Sequence, residues 1–228
     1  RIRGELLKLG IRVSATSIRT VLRREGLGPA PRRSGPSWSE FLRAQPHGIV
    51  ALDFFTVETV WLRTMYVLFA IELGSRRVQL LGVTRNPDSA RVTQQARNLA
   101  VGERLADIRF LIRDRDTKFS SPFDEVIRTE GVKIIRTPIR APTANAFAER
   151  WVRTARRECR DHLLILGGRH LDRVLREFAG HYNTERPHRG LRLARPSPPT
   201  SSILPATGAV HRRDRLGGMI HEYHRKMA

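Results

Sequence analysis

Three carboxylates in the sequence, Asp53, Asp114 and Glu149, fall where predicted secondary structure could bring them to one site. Asp53 lies inside the very hydrophobic stretch ALDFF, where a buried charge is costly unless it is paired or binds a metal ion. Asp114 ends the stretch FLIRD, and Glu149 falls near the first turn of a predicted helix. Oxygen ligands of this kind suit Mg²⁺ or Mn²⁺. Two such ions about 4 Å apart can activate a nucleophilic oxygen and stabilise the leaving oxygen of a phosphodiester.

The residues by themselves leave a second interpretation open. Asp and Glu together account for 22 of 228 residues, so acidic pairs at a given separation arise often by chance. Asp53 could be a buried aspartate satisfied by hydrogen bonds, and Asp114 could be a turn residue. Glu149 could be a partner of the helix dipole near a helix N-terminus.

The charge balance points to a polyanionic partner. The chain has 42 Lys and Arg residues against 22 Asp and Glu, a formal net charge of +20, and only four of the basic residues are lysines. A GC-rich genome explains a preference for arginine over lysine, but it does not explain the basic excess. Nucleic acid is therefore the expected partner. A membrane surface is disfavoured, because no amphipathic basic helix with a Trp/Phe face is present.

Cys159 is the single cysteine, which excludes an internal disulfide and a cysteine-based zinc cluster. This composition fits a reducing compartment. No apolar run reaches the roughly 18 residues that a bilayer span requires, and no signal peptide is recognisable. The chain begins at Arg1 within a predicted helix, so we expect it to be a fragment or a processed form.

Residues 1–28 predict two short helices, the second with Ser14 as its N-cap. Two helices joined by a tight turn at Gly10 suggest part of a helix-turn-helix, although a plain helical hairpin fits equally. In the DNA-binding interpretation, the residues available to DNA are Ser17, Arg19, Thr20, Arg23 and Arg24. Residues 29–45 are rich in Pro, Gly and Arg and predict a linker.

From residue 46 the pattern changes to strands and helices in the order βββαβαβα. Three apolar strands with short connections predict an antiparallel meander, and two further strands alternate with helices. This order predicts an α/β fold with a mixed five-stranded sheet and helices on both faces. If the first and fourth strands are neighbours, the three carboxylates can converge at one edge of the sheet. Residues 197–228 predict a basic, loosely ordered tail.

Four motifs carry a resemblance to a known family. They are ALDFF, IRDRDTKF, APTANAFAERW and HYNTERPHRGL. With them, residues 46–196 resemble the integrase core of DDE transposases and retroviral integrases, bacterial insertion-sequence transposases in particular. The 34 residues between Asp114 and Glu149 match the separation typical of that family.

The resemblance implies an RNase H-like fold and metal-dependent DNA strand transfer, in which a water or a 3′-hydroxyl attacks a phosphodiester in line. It implies that Asp53, Asp114 and Glu149 are the catalytic, metal-binding triad, with Asp53 bridging two Mg²⁺ or Mn²⁺ ions. The implied partners are element-end and target DNA together with further copies of the chain in the active complex. The implied location is the bacterial cytoplasm, in association with the nucleoid.

The predicted helix 145–164 combines the acid with a row of arginines. Asn145 is expected to cap this helix, with a possible role in holding DNA near the metals, and Arg153, Arg156 and Arg157 extend the face of Glu149 as expected phosphate contacts. The buried stripe is expected to contain Ala148, Val152, Ala155, Cys159 and Leu163. The three tryptophans, Trp38, Trp61 and Trp151, are expected to be packing residues.

The sequence departs from the family pattern at two positions. Ala144 stands where an aspartate is usual, and Asp116 stands where glycine is common, so Asp116 is a possible competing ligand. Two other functions stay open: a decayed or repurposed transposase that only binds DNA, and an RNase H-type nuclease acting on RNA–DNA hybrids. The motifs after the core disfavour the nuclease.

Overall fold

The structure, a computed structural model, describes residues 2–27, 40, 42, 44, 47–101, 105–137, 145–197 and 208–225. It divides into two compact units, Arg1–Phe41 and Leu42–Ala228, which are considered separately below. The position of Ala144, one of the two departures from the family pattern, lies outside the described residues, as does Trp38. No helix among the described residues is long and apolar enough to cross a membrane.

The N-terminal unit contains two short helices, α1 (Ile2–Lys8) and α2 (Ala15–Arg24). The predicted N-cap of α2 is confirmed, because the Ser14 hydroxyl accepts a hydrogen bond from the Ser17 backbone N–H at 2.9 Å. No residue of either helix is buried. Arg19, Arg23 and Arg24 are exposed. Their contact with DNA stays a prediction.

The second unit is built on a five-stranded sheet whose strand order is β3-β2-β1-β4-β5. Its strands are β1 (Ile49–Glu58), β2 (Thr64–Glu72), β3 (Val78–Thr84), β4 (Phe110–Arg113) and β5 (Lys133–Arg136). The first three strands are antiparallel neighbours, whereas β4 runs parallel to β1 and β5 runs parallel to β4. The predicted meander, the mixed sheet and the pairing of the first with the fourth strand are all confirmed.

Helices cover both faces of this sheet, as the alternation of strands and helices predicted. On one face lie α3 (Ser89–Val101) and α4 (Ser121–Thr129), whose apolar side chains share a core with the even-numbered residues of β1. On the other face lie α5 (Ala146–Glu158), which contacts β1 and β2, and α6 (Gly168–Thr184), which packs against β3. The strand order and the helix layers are those of the expected RNase H-like α/β fold.

The core beneath α5 differs from the predicted stripe. Trp151 is fully buried, with its ring centroid 4.4 Å from that of Phe69 and 5.6 Å from that of Phe55. Val152, predicted to be buried, is only half-buried and faces a cavity. The helix also ends at Glu158, ahead of its predicted end, and a 3₁₀ turn follows. The buried face of α5 is therefore rotated from the predicted one toward Trp151, whose large indole the predicted stripe did not include.

The expectation of a loosely ordered tail is wrong for residues 208–225. They contain a hairpin of β6 (Val210–Arg215) and β7 (Ile220–Arg225). Glu222 is buried beneath it, hydrogen-bonded to His181 of α6 at 3.1 Å and to Arg215 at 3.1 Å. The composition concealed this hairpin because its strands consist mostly of charged residues and histidine, and only Ile220 and Glu222 of the strands are buried.

Candidate metal and nucleic-acid site

The register of the sheet places Asp53 and Asp114 side by side. β1 and β4 pair in parallel with Ala51 opposite Ile112, so two residues further along each strand bring Asp53 level with Asp114. Neighbouring strands lie roughly 4.8 Å apart, and residues two positions apart on a strand share a face. Ala51 and Ile112 belong to the face covered by α5, since the opposite face carries Val50 and Leu111 in the α3/α4 core. Both carboxylates therefore face α5.

Helix α5 brings Glu149 and Asn145 to the same face. The Asn145 side-chain amide donates a hydrogen bond to the Asp53 carboxylate at 3.1 Å. Asn145 occupies the N-cap position of α5, but its side chain makes no capping hydrogen bond, so the predicted capping role is wrong. Its carbonyl oxygen is buried and has no hydrogen-bond partner among the residues that the structure describes. The amide is thus committed to the carboxylate, and an acceptor is left beside it.

An open cavity of about 510 Å³ lies over these residues. Its polar lining consists of Asp53, Thr56, Tyr66, Asp116, Lys118, Glu149, Arg153 and Arg156. Asp114 and Arg157 are not among the lining residues. The cavity is therefore lined by Asp53, Asp116 and Glu149 together with Arg153 and Arg156 of α5.

The electrostatics of Asp53 show that several carboxylates lie close to it. Burial is the main reason that the pKa of Asp53 rises to about 7, and the nearby charges of Asp114, Glu149 and Asp116 raise it further. A hydrogen bond from the Phe54 backbone N–H to the carboxylate opposes the shift. Burial also raises the pKa of Asp114. A divalent cation bound here would offset the repulsion between these carboxylates and favour their ionised forms.

Asp116 is occupied by Lys118 instead of being a free ligand. One oxygen of Asp116 accepts from the Lys118 backbone N–H at 3.0 Å, and the other accepts from the Lys118 ammonium at 2.6 Å. Burial alone would raise the pKa of Asp116, but these bonds outweigh it and lower that pKa. The Asp116 backbone N–H donates to the Asp114 carboxylate at 3.1 Å. The residue where glycine is common thus anchors a lysine at the rim of the cavity.

A buried ion pair that the sequence did not reveal lies behind Asp114. Arg113 and Asp124 of α4 are 3% and 1% exposed. The guanidinium donates to both Asp124 oxygens, at 2.9 Å and 2.8 Å, and to the backbone carbonyl of Asp114 at 2.9 Å. Arg136 of β5 donates to the same carboxylate at 2.8 Å. The pair therefore fixes the end of β4, from which Asp114 projects. The sequence signal that could have indicated this pair is the alternation of side chains along β4, which places Arg113 and Asp114 on opposite faces of the sheet.

The donors fit a hard divalent cation in their chemistry, because carboxylate and amide oxygens are its preferred protein ligands. Among the described residues, however, no three His, Cys, Asp or Glu side chains are grouped closely enough to hold a metal ion as they stand. Glu149 is exposed on its helix, and Asp53 is held by Asn145. A metal complex would therefore require the exposed glutamate to turn toward the two aspartates.

Residues 130–196 match a protein-family model described as an integrase core domain. The matched segment includes Glu149 and the arginines of α5, and it continues through α6 to the HYNTERPHRGL motif. Over this segment the chain is similar to integrase core domains. Asp53 and Asp114 lie ahead of the matched segment, so only the sheet register described above relates them to Glu149.

Solved structures that are similar to this chain include the HTLV-2 integrase catalytic core domain in complex with magnesium, in a trimeric and in a dimeric form. Each has 15% sequence identity and a TM-score of 0.46, and the alignment covers 59% of this chain. It covers 84% of the trimeric-form chain and 85% of the dimeric-form chain. No curated protein matches the chain.

Proposed function

We propose that this chain is the integrase-type catalytic core of a transposase and that it catalyses metal-dependent DNA strand transfer at the ends of a mobile element. The observation that carries the proposal is the level pairing of Asp53 and Asp114 on parallel strands, on the face where α5 presents Glu149. The raised pKa of Asp53 supports it, because this carboxylate already lies among like charges that a cation would neutralise. Ionisable groups perturbed in this way by burial and by neighbouring charges cluster at functional sites.

In this proposal Asp53, Asp114 and Glu149 would hold Mg²⁺ or Mn²⁺, with two ions as the expected number. When bound, such ions supply activation of an attacking oxygen and stabilisation of the leaving oxygen of a phosphodiester. The attacking oxygen belongs to water in the cleavage step and to a DNA 3′-hydroxyl in the joining step. Asn145 fixes the orientation of the Asp53 carboxylate through its amide. Its unpartnered carbonyl oxygen is available to the DNA or to a bound water.

The cations beside the acids provide the contacts that hold DNA. Arg153 and Arg156 line the same cavity as Glu149. A DNA phosphate bound next to the carboxylates would therefore be attracted by both guanidinium groups. Arg157 is exposed on α5 outside that lining and would meet the backbone further along. Arg19, Arg23 and Arg24 of the N-terminal unit are proposed to contact DNA separately.

A strand-transfer assay with Mg²⁺ or Mn²⁺ on element-end duplexes tests the proposal. We expect Asp53→Asn and Glu149→Gln each to reduce joining by about 10³-fold or more, which is the scale of losing a group that stabilises transition-state charge. Asp107→Asn is the matched control, since Asp107 is an exposed aspartate outside the acid-lined cavity. Full activity in Asp53→Asn would show that the carboxylates are not the catalytic group.

A second candidate is a DNA-binding protein without catalysis. It is favoured by one observation, the lack of a ready-made group of three metal ligands among the described residues. It predicts salt-dependent binding of duplex DNA, no joining under any metal condition, and no heat of binding when Mn²⁺ is titrated into the protein. Heat of binding that disappears in Asp53→Asn would exclude this candidate.

A further inference from the structure

An exposed apolar surface lies at the turn between β1 and β2. Trp61 is 70% exposed and Leu62 is 83% exposed, and Val60 precedes them. Leu164 and Leu166, which are 77% and 61% exposed, stand on the segment that leads from the 3₁₀ turn after α5 into α6. The prediction that all three tryptophans pack in the interior is therefore wrong for Trp61. We call these five side chains the apolar tip.

The apolar tip is one ordered surface. Its two segments are joined where the Val60 backbone N–H donates to the Ile165 carbonyl at 2.9 Å, and Ile165 itself is buried. The turn is closed by hydrogen bonds from the Thr59 N–H to the Arg63 carbonyl at 3.0 Å and from the Leu62 N–H to the Thr59 carbonyl at 2.9 Å. Large apolar side chains are thus held out into solvent by a fixed backbone, which is typical of a binding surface.

The chemistry of the tip favours protein over DNA as its partner. Residues 59–63 and 163–168 contain one charged side chain, Arg63, in a chain in which 28% of residues are charged. A surface that binds DNA supplies cations for phosphates, as α5 does, and the tip does not. The five side chains leave on the order of 600 Å² of mostly apolar surface exposed, against the roughly 800 Å² that each partner buries in a standard interface.

We propose that the apolar tip is the contact through which two copies of this chain associate. A two-fold axis at the tip places Trp61 of each copy against the leucines of the other, so one surface supplies both halves of the interface. A second copy is the partner that fits, because two copies of the apolar tip together bury on the order of 1,200 Å², the lower bound of a stable interface. The inference goes beyond the proposed function and needs neither DNA nor metal.

The net charge gives this association a distinctive salt dependence. Two copies that each carry a formal +20 repel one another, and added salt screens that repulsion. Association through the apolar tip therefore strengthens as salt rises. Binding of DNA has the opposite dependence, because counterions released from the phosphates make it weaker in high salt. The direction of the salt effect distinguishes the two partners.

Sedimentation equilibrium of the full chain without DNA, at about 0.15 M and about 0.5 M NaCl, tests the proposal. We expect a dimer whose dissociation constant decreases as salt rises. Trp61→Ser should increase that dissociation constant at least about 30-fold, which is the effect of truncating a residue at the centre of an interface. Leu193→Ser is the matched control, because Leu193 is 66% exposed away from the tip. It should leave the dissociation constant unchanged, and thermal unfolding of both variants should match the parent chain.

Three outcomes would overturn the proposal. One is a chain that stays monomeric at both salt concentrations. This outcome counts against the proposal whether acrylamide quenches the fluorescence of Trp61 or another part of the same chain shields it. Another is a dimer that Trp61→Ser leaves unchanged. The third is an unchanged mass in Trp61→Ser together with weaker binding of a duplex oligonucleotide, which would assign the tip to DNA. Loss of strand transfer in the triad variants does not bear on any of these measurements.

Discussion

Replacing Asp124 by asparagine removes the charge that balances a buried arginine behind the proposed metal site. Asp124 accepts hydrogen bonds from Arg113 and Arg136, and the Arg113–Asp124 pair is almost completely shielded from water. Asparagine keeps one acceptor oxygen but turns an N–H₂ group toward guanidinium donors. The Arg113 cation is then buried without a counter-charge, while it still has to hold the Asp114 carbonyl.

The expected cost is set by the depth of the pair. Removing one partner of a buried ion pair costs about 3–5 kcal/mol, and the oxygen that asparagine keeps places this substitution near about 3 kcal/mol. For a chain of this size each 1 kcal/mol lowers the melting temperature by about 2–4 °C, so we expect a decrease of roughly 6–12 °C. Asp172→Asn is the control, because its pair with Arg176 is exposed and should contribute about 0.5 kcal/mol.

The pH dependence gives a second readout. Burial would raise the pKa of Asp124, but hydrogen bonds from Arg113 and Arg136 outweigh it and lower that pKa below its usual value of 3.8. A carboxylate with a lowered pKa stabilises the folded state above its unfolded pKa, and this stabilisation is lost as the pH falls through the folded value. The stability difference between the parent chain and Asp124→Asn should therefore be constant above about pH 5 and shrink below about pH 4.

Urea unfolding followed by far-ultraviolet circular dichroism measures the free energy of unfolding of both variants. A loss of less than about 1 kcal/mol in Asp124→Asn, or one equal to that of Asp172→Asn, would refute the argument that the buried pair sustains this end of β4. A stability difference that stays constant down to about pH 2 would refute the assignment of the low pKa to Asp124.

Three further expectations follow from the site. Because the pKa of Asp53 is raised to about 7, protonation of Asp53 favours the folded state, and this stabilisation is complete below about pH 4 and lost as the pH rises through about 7. The free energy of unfolding that Asp53→Asn gains over the parent chain, both metal-free, should therefore grow from about pH 4 to about pH 7 and then level off. A gain that does not change with pH would contradict this. Arg156→Gln should weaken binding of any duplex and reduce the salt slope of binding by about one, measured by fluorescence anisotropy, whereas Arg97→Gln on the opposite face of the sheet should change neither. Asn145→Ala should remove the amide bond to Asp53 and lower strand transfer by about 10-fold or more with little change in melting temperature, and equal losses of both would assign Asn145 a purely structural role.

The sequence was informative where a pattern has a single structural meaning. Apolar strands with short connections gave the meander, and alternation of strand and helix gave the parallel pairs, so the level of Asp53 and Asp114 could be anticipated once the first and fourth strands were taken as neighbours. The Ser14 cap was equally local.

The sequence failed where a contact depends on which partner lies across space. Asn145 is a residue type that commonly caps helices, but its side-chain amide donates a hydrogen bond to Asp53, 92 positions earlier in the chain. Arg113 and Asp124 look like two ordinary surface charges in the sequence, and only the packing of α4 against β4 makes them a buried pair. Trp61 is an apolar residue in an apolar neighbourhood, and the turn conformation alone exposes it.

The parallel pairing of β1 with β4 has a consequence for the life of the chain before it is fully folded. Parallel strands cannot be joined by a tight turn, and this pairing has to wait until β2, β3 and α3 have been made. Contacts of such long sequence separation form slowly compared with local ones. A chain still emerging from the ribosome therefore carries Asp53 without Asp114 beside it. The proposed chemistry thus depends on completion of the fold.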